Sequence, residues 1–78
     1  MPRIRSFDTC EIRLYFKDHM PPHFHVLDKS GREWLVRIDN GAILEGPRDT
    51  RIIRVALEWA ATEANRKLLM QRFMEYRR

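Results

Sequence analysis

The sequence predicts a small α+β fold: a three- to four-stranded antiparallel sheet (a meander), with two C-terminal helices packed on one face. In the first half of the chain, apolar residues alternate with polar ones, and turn residues separate the alternating stretches. From about residue 48 the apolar spacing becomes helical. Because the chain has 78 residues, we expect a single domain over 1–78, with the sheet at about 8–45 and the helices at about 48–77.

The first predicted strand shows a period of two over residues 10–17. Its apolar face carries Cys10, Ile12, Leu14 and Phe16, and charged or polar residues fall between them. This alternation is typical of a half-buried strand. We therefore expect Cys10 to point inward as a small hydrophobic residue and not to act as a reactive thiol.

The next two strands form a predicted hairpin. Two prolines at positions 21 and 22 impose extended backbone ahead of it, and a turn cluster at 28–31 separates its strands. A three-residue loop at 29–31 places His25 opposite Leu35 and puts His23 on the same face as His25. We expect that face to be exposed. The opposite face, expected beneath the helices, carries Phe24, Val26, Trp34 and Val36.

The rest of the chain predicts a short strand and then the helices. Asn40-Gly41 is the strongest hairpin signal in the sequence, and it predicts a fourth strand at about 42–44. Beyond Gly46-Pro47, two apolar stripes at helical spacing predict two helices joined near residues 62–65. Trp34 and Trp59 both fall on predicted core faces, so we expect them to be core anchors and not base-stacking platforms.

The net charge of +4 comes from the C-terminal part of the chain. Arg48, Arg51 and Arg54 form a basic ridge there, whose interpretations are a solvated helix face and a phosphate-binding surface. No apolar run exceeds three residues, which excludes a membrane-spanning segment. Since Cys10 has no second cysteine to pair with, we expect a cytoplasmic protein.

All three histidines lie within the string Asp18-His19-Met20-Pro21-Pro22-His23-Phe24-His25. Two imidazoles on one strand face, with Asp18, His19 and Tyr15 nearby, are the ingredients of acid–base catalysis near neutral pH. The other interpretations are a metal site and a hydrogen-bonded network that fixes the connection. The basic residues that could hold an anion or nucleic acid are Arg13, Lys17 and Arg37, with Arg48, Arg51 and Arg54 on the ridge.

A metal ion, if one were bound, would use His23 and His25, with His19 or Asp18 as the third ligand. The basic side chains of Arg13, Lys17 and Arg37 should repel a dication and attract phosphate. The sequence therefore predicts no stoichiometric metal or other cofactor, and a preference of this face for anions such as RNA.

Several segments of the chain together resemble a known family. They are Met1-Pro2-Arg3-Ile4, residues 12–16, the histidine string extended to Val26, Leu44-Glu45-Gly46 and Leu57-Glu58-Trp59-Ala60. On these residues the chain resembles the small bacterial proteins of domain of unknown function 4160. The spacing from Trp59 to Leu68-Leu69 is slightly longer than the family pattern. The resemblance implies a role in a toxin–antitoxin-like two-gene module, with a small protein partner and RNA as a further target.

Two classes of function follow from these observations. The leading prediction is an interaction component of such a module, which binds a partner protein or RNA through the histidine-bearing face. The alternative is an enzyme, either a histidine-based ribonuclease or a metal-dependent hydrolase. A folded accessory domain without chemistry is the third interpretation, and the oligomeric state does not follow from the sequence.

Overall fold

The computed structural model describes residues 3–77, so Met1 and Pro2 of the opening segment and Arg78 lie outside the described residues. The described chain is α+β, as predicted. Its five strands are β1 (Arg3–Ser6), β2 (Cys10–Arg13), β3 (His23–Asp28), β4 (Glu33–Arg37) and β5 (Ile43–Glu45). A 3₁₀ turn at Arg51–Ile53 leads into α1 (Arg54–Ala61) and then α2 (Glu63–Tyr76). Within the described residues, no helix is long and apolar enough to cross a membrane.

The strands form one antiparallel sheet in the order β1-β2-β3-β4-β5, which is the predicted meander with one more strand. The additional strand is β1, which pairs with β2 through Arg5 and Ile12. The sequence prediction began the sheet at about residue 8. It missed β1 because Ile4 is the only apolar residue in that strand, so the strand has no visible alternation.

The predicted register of the central hairpin is confirmed. His25 pairs with Leu35, and Val26 pairs with Trp34. The turn between β3 and β4 is held by the Asp28 carboxylate, whose Oδ1 accepts hydrogen bonds from the backbone N–H groups of Ser30 and Arg32 at 3.1 and 2.8 Å. The guanidinium of Arg32 donates to the other oxygen at 2.8 Å. These contacts fix which residues of β4 face the histidines of β3.

The two helices cover the apolar face of the sheet, as predicted. Cys10 is buried, and Trp34 is fully buried with its indole N–H donating to the Pro47 carbonyl at 2.9 Å. The helices contribute Ala56, Ala60, Leu69 and Phe73 to the same core, and the 3₁₀ turn contributes Ile53. Trp59 differs from the prediction, because it is only half-buried and packs edge-on against Phe7 at the rim of the core. Thr62, with an extended backbone, separates α1 from α2 in the predicted region.

Phe16 does not continue the inward face of β2, and 61% of its surface is exposed. The strand ends at Arg13, and Lys17 adopts a left-handed conformation (φ 59°), so the alternation no longer describes where side chains point. Phe16 packs instead against Tyr76 at the end of α2, and the Lys17 N–H donates to the Tyr76 carbonyl at 2.8 Å. The connection between β2 and β3 is therefore attached to the C-terminal helix.

Candidate functional site

The connection between β2 and β3 brings Asp18 to the start of β3. Beside the Lys17–Tyr76 hydrogen bond, the guanidinium of Arg77 donates to the Asp18 carbonyl at 3.1 Å. The backbone N–H of His19 donates to the Asp18 carboxylate at 3.2 Å. These contacts orient the carboxylate, which is 14% exposed, toward the face of β3 that carries the histidines.

His23 and His25 are buried, with 1% and 7% of their surface exposed, so the expected exposure of the histidine face is wrong. The alternation assigned them correctly to the face opposite Phe24 and Val26. It could not predict what covers that face. The Tyr15 ring lies over His25 with the ring centroids 4.1 Å apart, and Phe73 of α2 lies 5.7 Å from the ring of His23.

The Asp18 carboxylate lies between the two imidazoles. Its Oδ2 is 3.0 Å from Nε2 of His23 and 2.8 Å from Nε2 of His25. The two imidazole centroids are 5.1 Å apart. One potential ligand atom from each of these three residues falls within 4.8 Å of the others. We call Asp18, His23 and His25 the His–Asp cluster.

The other ring nitrogen of each histidine is committed to an acceptor. Nδ1 of His23 is 2.8 Å from the Pro21 carbonyl, and Nδ1 of His25 is 2.9 Å from the Glu33 carboxylate. A carbonyl and a carboxylate only accept hydrogen bonds, so both Nδ1 atoms carry a proton. By the same rule Nε2 of His25 carries a proton when it donates to Asp18 at 2.8 Å, whereas Nε2 of His23 makes no hydrogen bond among the described residues.

Nε2 of His23 is buried and, among the described residues, has no hydrogen-bond partner. Its 3.0 Å distance to Oδ2 of Asp18 is short enough for a hydrogen bond, but the angle at the nitrogen is unsuitable. The contact is therefore electrostatic and is not a hydrogen bond. A buried polar atom in this state is uncommon in a folded protein, and it points to a missing ion, ligand or proton.

Two pKa shifts describe the charge around the cluster. Burial acts to raise the pKa of the Asp18 carboxyl, but the His25 hydrogen bond and the charges of His23 and His25 outweigh it, and the pKa lies below its ordinary value. Burial and the neighbouring Glu33 carboxylate raise the pKa of the Tyr15 hydroxyl. Asp18 is therefore an anion at neutral pH, and Tyr15 is a neutral donor whose hydroxyl lies 3.2 Å from Glu33.

Residues 10–73 of the chain match the family described as Domain of unknown function (DUF4160). The chain belongs to this family. No curated protein and no solved structure matches the chain significantly. The matched segment of this DUF4160 protein runs from the start of β2 into α2 and contains the whole His–Asp cluster together with Glu33.

The structure gathers part of the predicted site of this DUF4160 protein. Asp18, His23, His25 and Tyr15 meet, whereas His19 is exposed, with its ring 5.5 Å from that of His23, and contributes no atom to the cluster. Sequence reasoning did not identify Glu33 as a site residue. The register alone could have identified it. Leu35 pairs with His25, and Glu33 lies two residues before Leu35, so Glu33 is on the same face of the sheet as the histidines.

The predicted basic residues are mostly engaged elsewhere. Arg13 pairs with Glu11, and Arg37 pairs with Asp39 at 2.7 Å, although both lie opposite the histidines in the sheet register. The ridge residue Arg51 is held by Asp49 at 2.7 Å. Arg48 and Arg54 lie near the entry to α1, and among residues 3–77 no side-chain hydrogen bond or ion pair joins the ridge to the cluster.

Proposed function

We propose that this DUF4160 protein is a hydrolase that cleaves phosphodiester bonds in RNA at the His–Asp cluster. The observation that carries the proposal is the convergence of two buried imidazole Nε2 atoms on one carboxylate, with both Nδ1 atoms held by acceptors. Burying such groups opposes folding, and arrangements of this kind concentrate at functional sites. A site held in place before substrate arrives is also what efficient catalysis requires.

The cluster and its rim contain the groups that hydrolysis needs. An Nε2 lone pair can accept a proton from the attacking water, and Asp18 stabilises the imidazolium that results. The exposed imidazole of His19, next to His23, can donate a proton to the leaving oxygen. The route from solvent passes Asp18, which is the most exposed member of the cluster.

Positive charge beside Asp18 supports an anionic substrate. Arg77 is bonded to the Asp18 backbone, and Lys17 precedes Asp18 with its side chain exposed. With a net charge of +4, the whole chain also attracts polyanions. These charges support RNA over a neutral substrate. The toxin–antitoxin-like role implied by the family resemblance supports the same substrate class.

The test is cleavage of a fluorescently labelled RNA by the purified protein, measured with chelator and again with added Zn²⁺ or Mn²⁺. We expect cleavage under at least one condition, and a loss of about 10²-fold or more in His25→Gln, the range typical of a lost acid–base group. The matched control is Arg54→Gln on the helix side, which should retain wild-type activity. No cleavage by the wild type, or equal cleavage by His25→Gln, would contradict the proposal.

A second candidate function is the interaction component of a toxin–antitoxin-like module, with a small protein partner. The observation that favours it is the edge strand β5, which is exposed along its whole length and presents Ile43 and Leu44. An edge strand offers unpaired backbone groups to which a partner can add a strand. A cytoplasmic setting in a bacterium is part of this proposal, since the resemblance is to small bacterial proteins.

Co-expression with the product of the adjacent gene tests the second candidate. We expect a complex that co-elutes in size-exclusion chromatography, and its loss when Ile43→Pro removes a backbone donor from the edge. The matched control is Met74→Ala, which shortens an exposed apolar side chain on α2, away from the edge strand, and should leave the complex intact. A complex that survives Ile43→Pro would place the interface elsewhere.

A further inference from the structure

We infer that Asp18, His23 and His25 form a site for one divalent transition-metal ion of the zinc class. The donor atoms are Nε2 of each histidine and Oδ2 of Asp18. The inference deepens the proposed function, on which the catalytic role of the ion rests: a bound ion would occupy both Nε2 atoms and would itself activate the attacking water in place of an imidazole. Binding of the ion stands on the geometry alone.

One nitrogen of each ring is available to an ion. The Pro21 carbonyl and the Glu33 carboxylate hold the protons on Nδ1 of His23 and His25, so Nε2 is the nitrogen of each ring that can reach an ion. Nε2 of His25 would give up its hydrogen bond to Asp18, and the proton in it, when the ion binds. An imidazole whose second nitrogen donates to a carbonyl or carboxylate is the usual state of a metal-ligating histidine. Both rings are therefore oriented as ligands.

Nε2 of His23 is the atom of the cluster that lacks a partner in the described part of the chain. Nε2 of His23 is buried and lacks a hydrogen-bond partner among the described residues, and it is directed into the cluster. A buried nitrogen without a partner costs stability. A metal ion bonds to the lone pair directly and needs no donor angle toward Asp18.

The size of the site is also suited to an ion. Metal–ligand bonds of about 2.0–2.2 Å place neighbouring ligand atoms of a tetrahedral site about 3.3–3.5 Å apart. The three donor atoms lie within 4.8 Å of one another, and Asp18 Oδ2 is 3.0 and 2.8 Å from the two Nε2 atoms, so an ion fits after a small rearrangement of these side chains. Asp18 lies in a connection and not in a strand, so its side chain can move without breaking a hydrogen bond of the sheet.

The charges around the His–Asp cluster favour a cation, which reverses the expectation from the sequence that a dication would be repelled. That expectation depended on repulsion by Arg13, Lys17 and Arg37. Arg13 and Arg37 are neutralised by ion pairs with Glu11 and Asp39. Lys17 is exposed, so solvent and salt screen its charge. The Asp18 and Glu33 carboxylates contact the imidazoles directly, so the nearest formal charges are negative. Two imidazoles and one carboxylate suit borderline ions such as Zn²⁺ and Co²⁺, and three protein ligands leave a coordination position for water or substrate.

The test is titration of chelator-stripped protein with Co²⁺, followed by its visible absorption, and then displacement by Zn²⁺. We expect one Co²⁺ per chain and loss of the absorption when Zn²⁺ is added. Affinity should fall by at least about 10²-fold in Asp18→Asn. It should fall by about 10- to 100-fold in Glu33→Gln, which alters the partner of His25 and Tyr15 but no ligand atom. His19→Ala is the matched control, because it removes an adjacent histidine outside the cluster, and it should bind as the wild type does.

The variants and assays separate the possible failures. Asp18→Asn changes a partly exposed side chain, so it remains informative if His23 and His25 variants fail to fold. No Co²⁺ absorption in the wild type, or equal affinity in Asp18→Asn, would overturn the metal site. RNA cleavage that persists in chelator without bound metal would overturn the catalytic role of the ion, while leaving the hydrolase standing. One bound Co²⁺ without any RNA cleavage would uphold the site and contradict the proposed hydrolase.

Discussion

The two faces of β3 are both buried, but they are buried against different chemistry. Phe24 and Val26 lie beneath the helices in an apolar core, where removing hydrocarbon surface from water stabilises the fold. His23 and His25 face the other way, against the Asp18 carboxylate and the Tyr15 ring, with Phe73 of α2 also close to the ring of His23. There each polar atom needs its own partner, and burial alone costs stability. One face of β3 therefore stabilises the fold, and the other face holds the candidate site. The solvent exposure of the side chains does not distinguish the two faces, because both are buried.

The largest effect is expected on the apolar side. Trp34→Ala should lower the free energy of unfolding by about 3–5 kcal/mol, because it removes a fully buried indole and leaves a cavity. Urea denaturation followed by circular dichroism measures the loss. Met74→Ala on the exposed side of α2 is the control and should cost less than about 1 kcal/mol. A loss at Trp34 as small as that of the control would remove the distinction between the two faces.

A smaller effect is expected on the polar side in metal-free protein. His23→Leu should cost about 1 kcal/mol, because the ring makes one hydrogen bond, to Pro21, and its Nε2 makes none. Adding Zn²⁺ at about 100 times its dissociation constant should then stabilise the wild type by about 2.7 kcal/mol and leave His23→Leu unchanged. Denaturant melts with and without Zn²⁺ measure both terms. A loss equal to that of Trp34→Ala would identify the histidines as structural.

The smallest effect is expected at Asp28, a buried carboxylate with a purely structural role. Asp28→Asn keeps an oxygen for the backbone donors of Ser30 and Arg32 and loses the charged contact to the Arg32 guanidinium. Burial opposes ionisation, but the hydrogen bonds from Ser30 and Arg32 lower the pKa of Asp28 below its ordinary value. Its contribution to stability is therefore present above about pH 4 and is lost as the pH falls through the lowered pKa.

Thermal melts at neutral and acid pH check this sign. The wild type should melt above Asp28→Asn at pH 7, and the difference should shrink as the pH falls below 4. A difference that grows on acidification would mean that the protonated carboxyl is the stabilising form.

Alternation predicted the fold well where each strand keeps one polarity on each face. It placed β2, β3 and β4 and their register, as the pairing of Val26 with Trp34 confirms. It failed at β1, which has one apolar residue, and at Phe16, which follows the end of β2. Both failures are local absences of a repeating pattern, not a conflict between pattern and packing.

The candidate site was predicted in its residues but not in its environment. The string from Asp18 to His25 named all three members of the cluster. Their burial depends on a connection attached to α2 through Lys17 and Tyr76, residues far apart in sequence. The protonated nitrogen of each ring depends in turn on Pro21 and Glu33, which only the folded geometry identifies. Contacts of this kind leave no periodic signal in the sequence.

The most direct test of the metal site is a crystal grown with Zn²⁺, with diffraction data collected on both sides of the zinc absorption edge. We expect one anomalous peak about 2.0–2.2 Å from Nε2 of His23, Nε2 of His25 and a carboxylate oxygen of Asp18. We also expect the Nδ1 contacts to Pro21 and Glu33 to be retained. Zinc bound only outside the His–Asp cluster, with Asp18 still in direct contact with both imidazoles, would show that this buried polar face is not a metal centre.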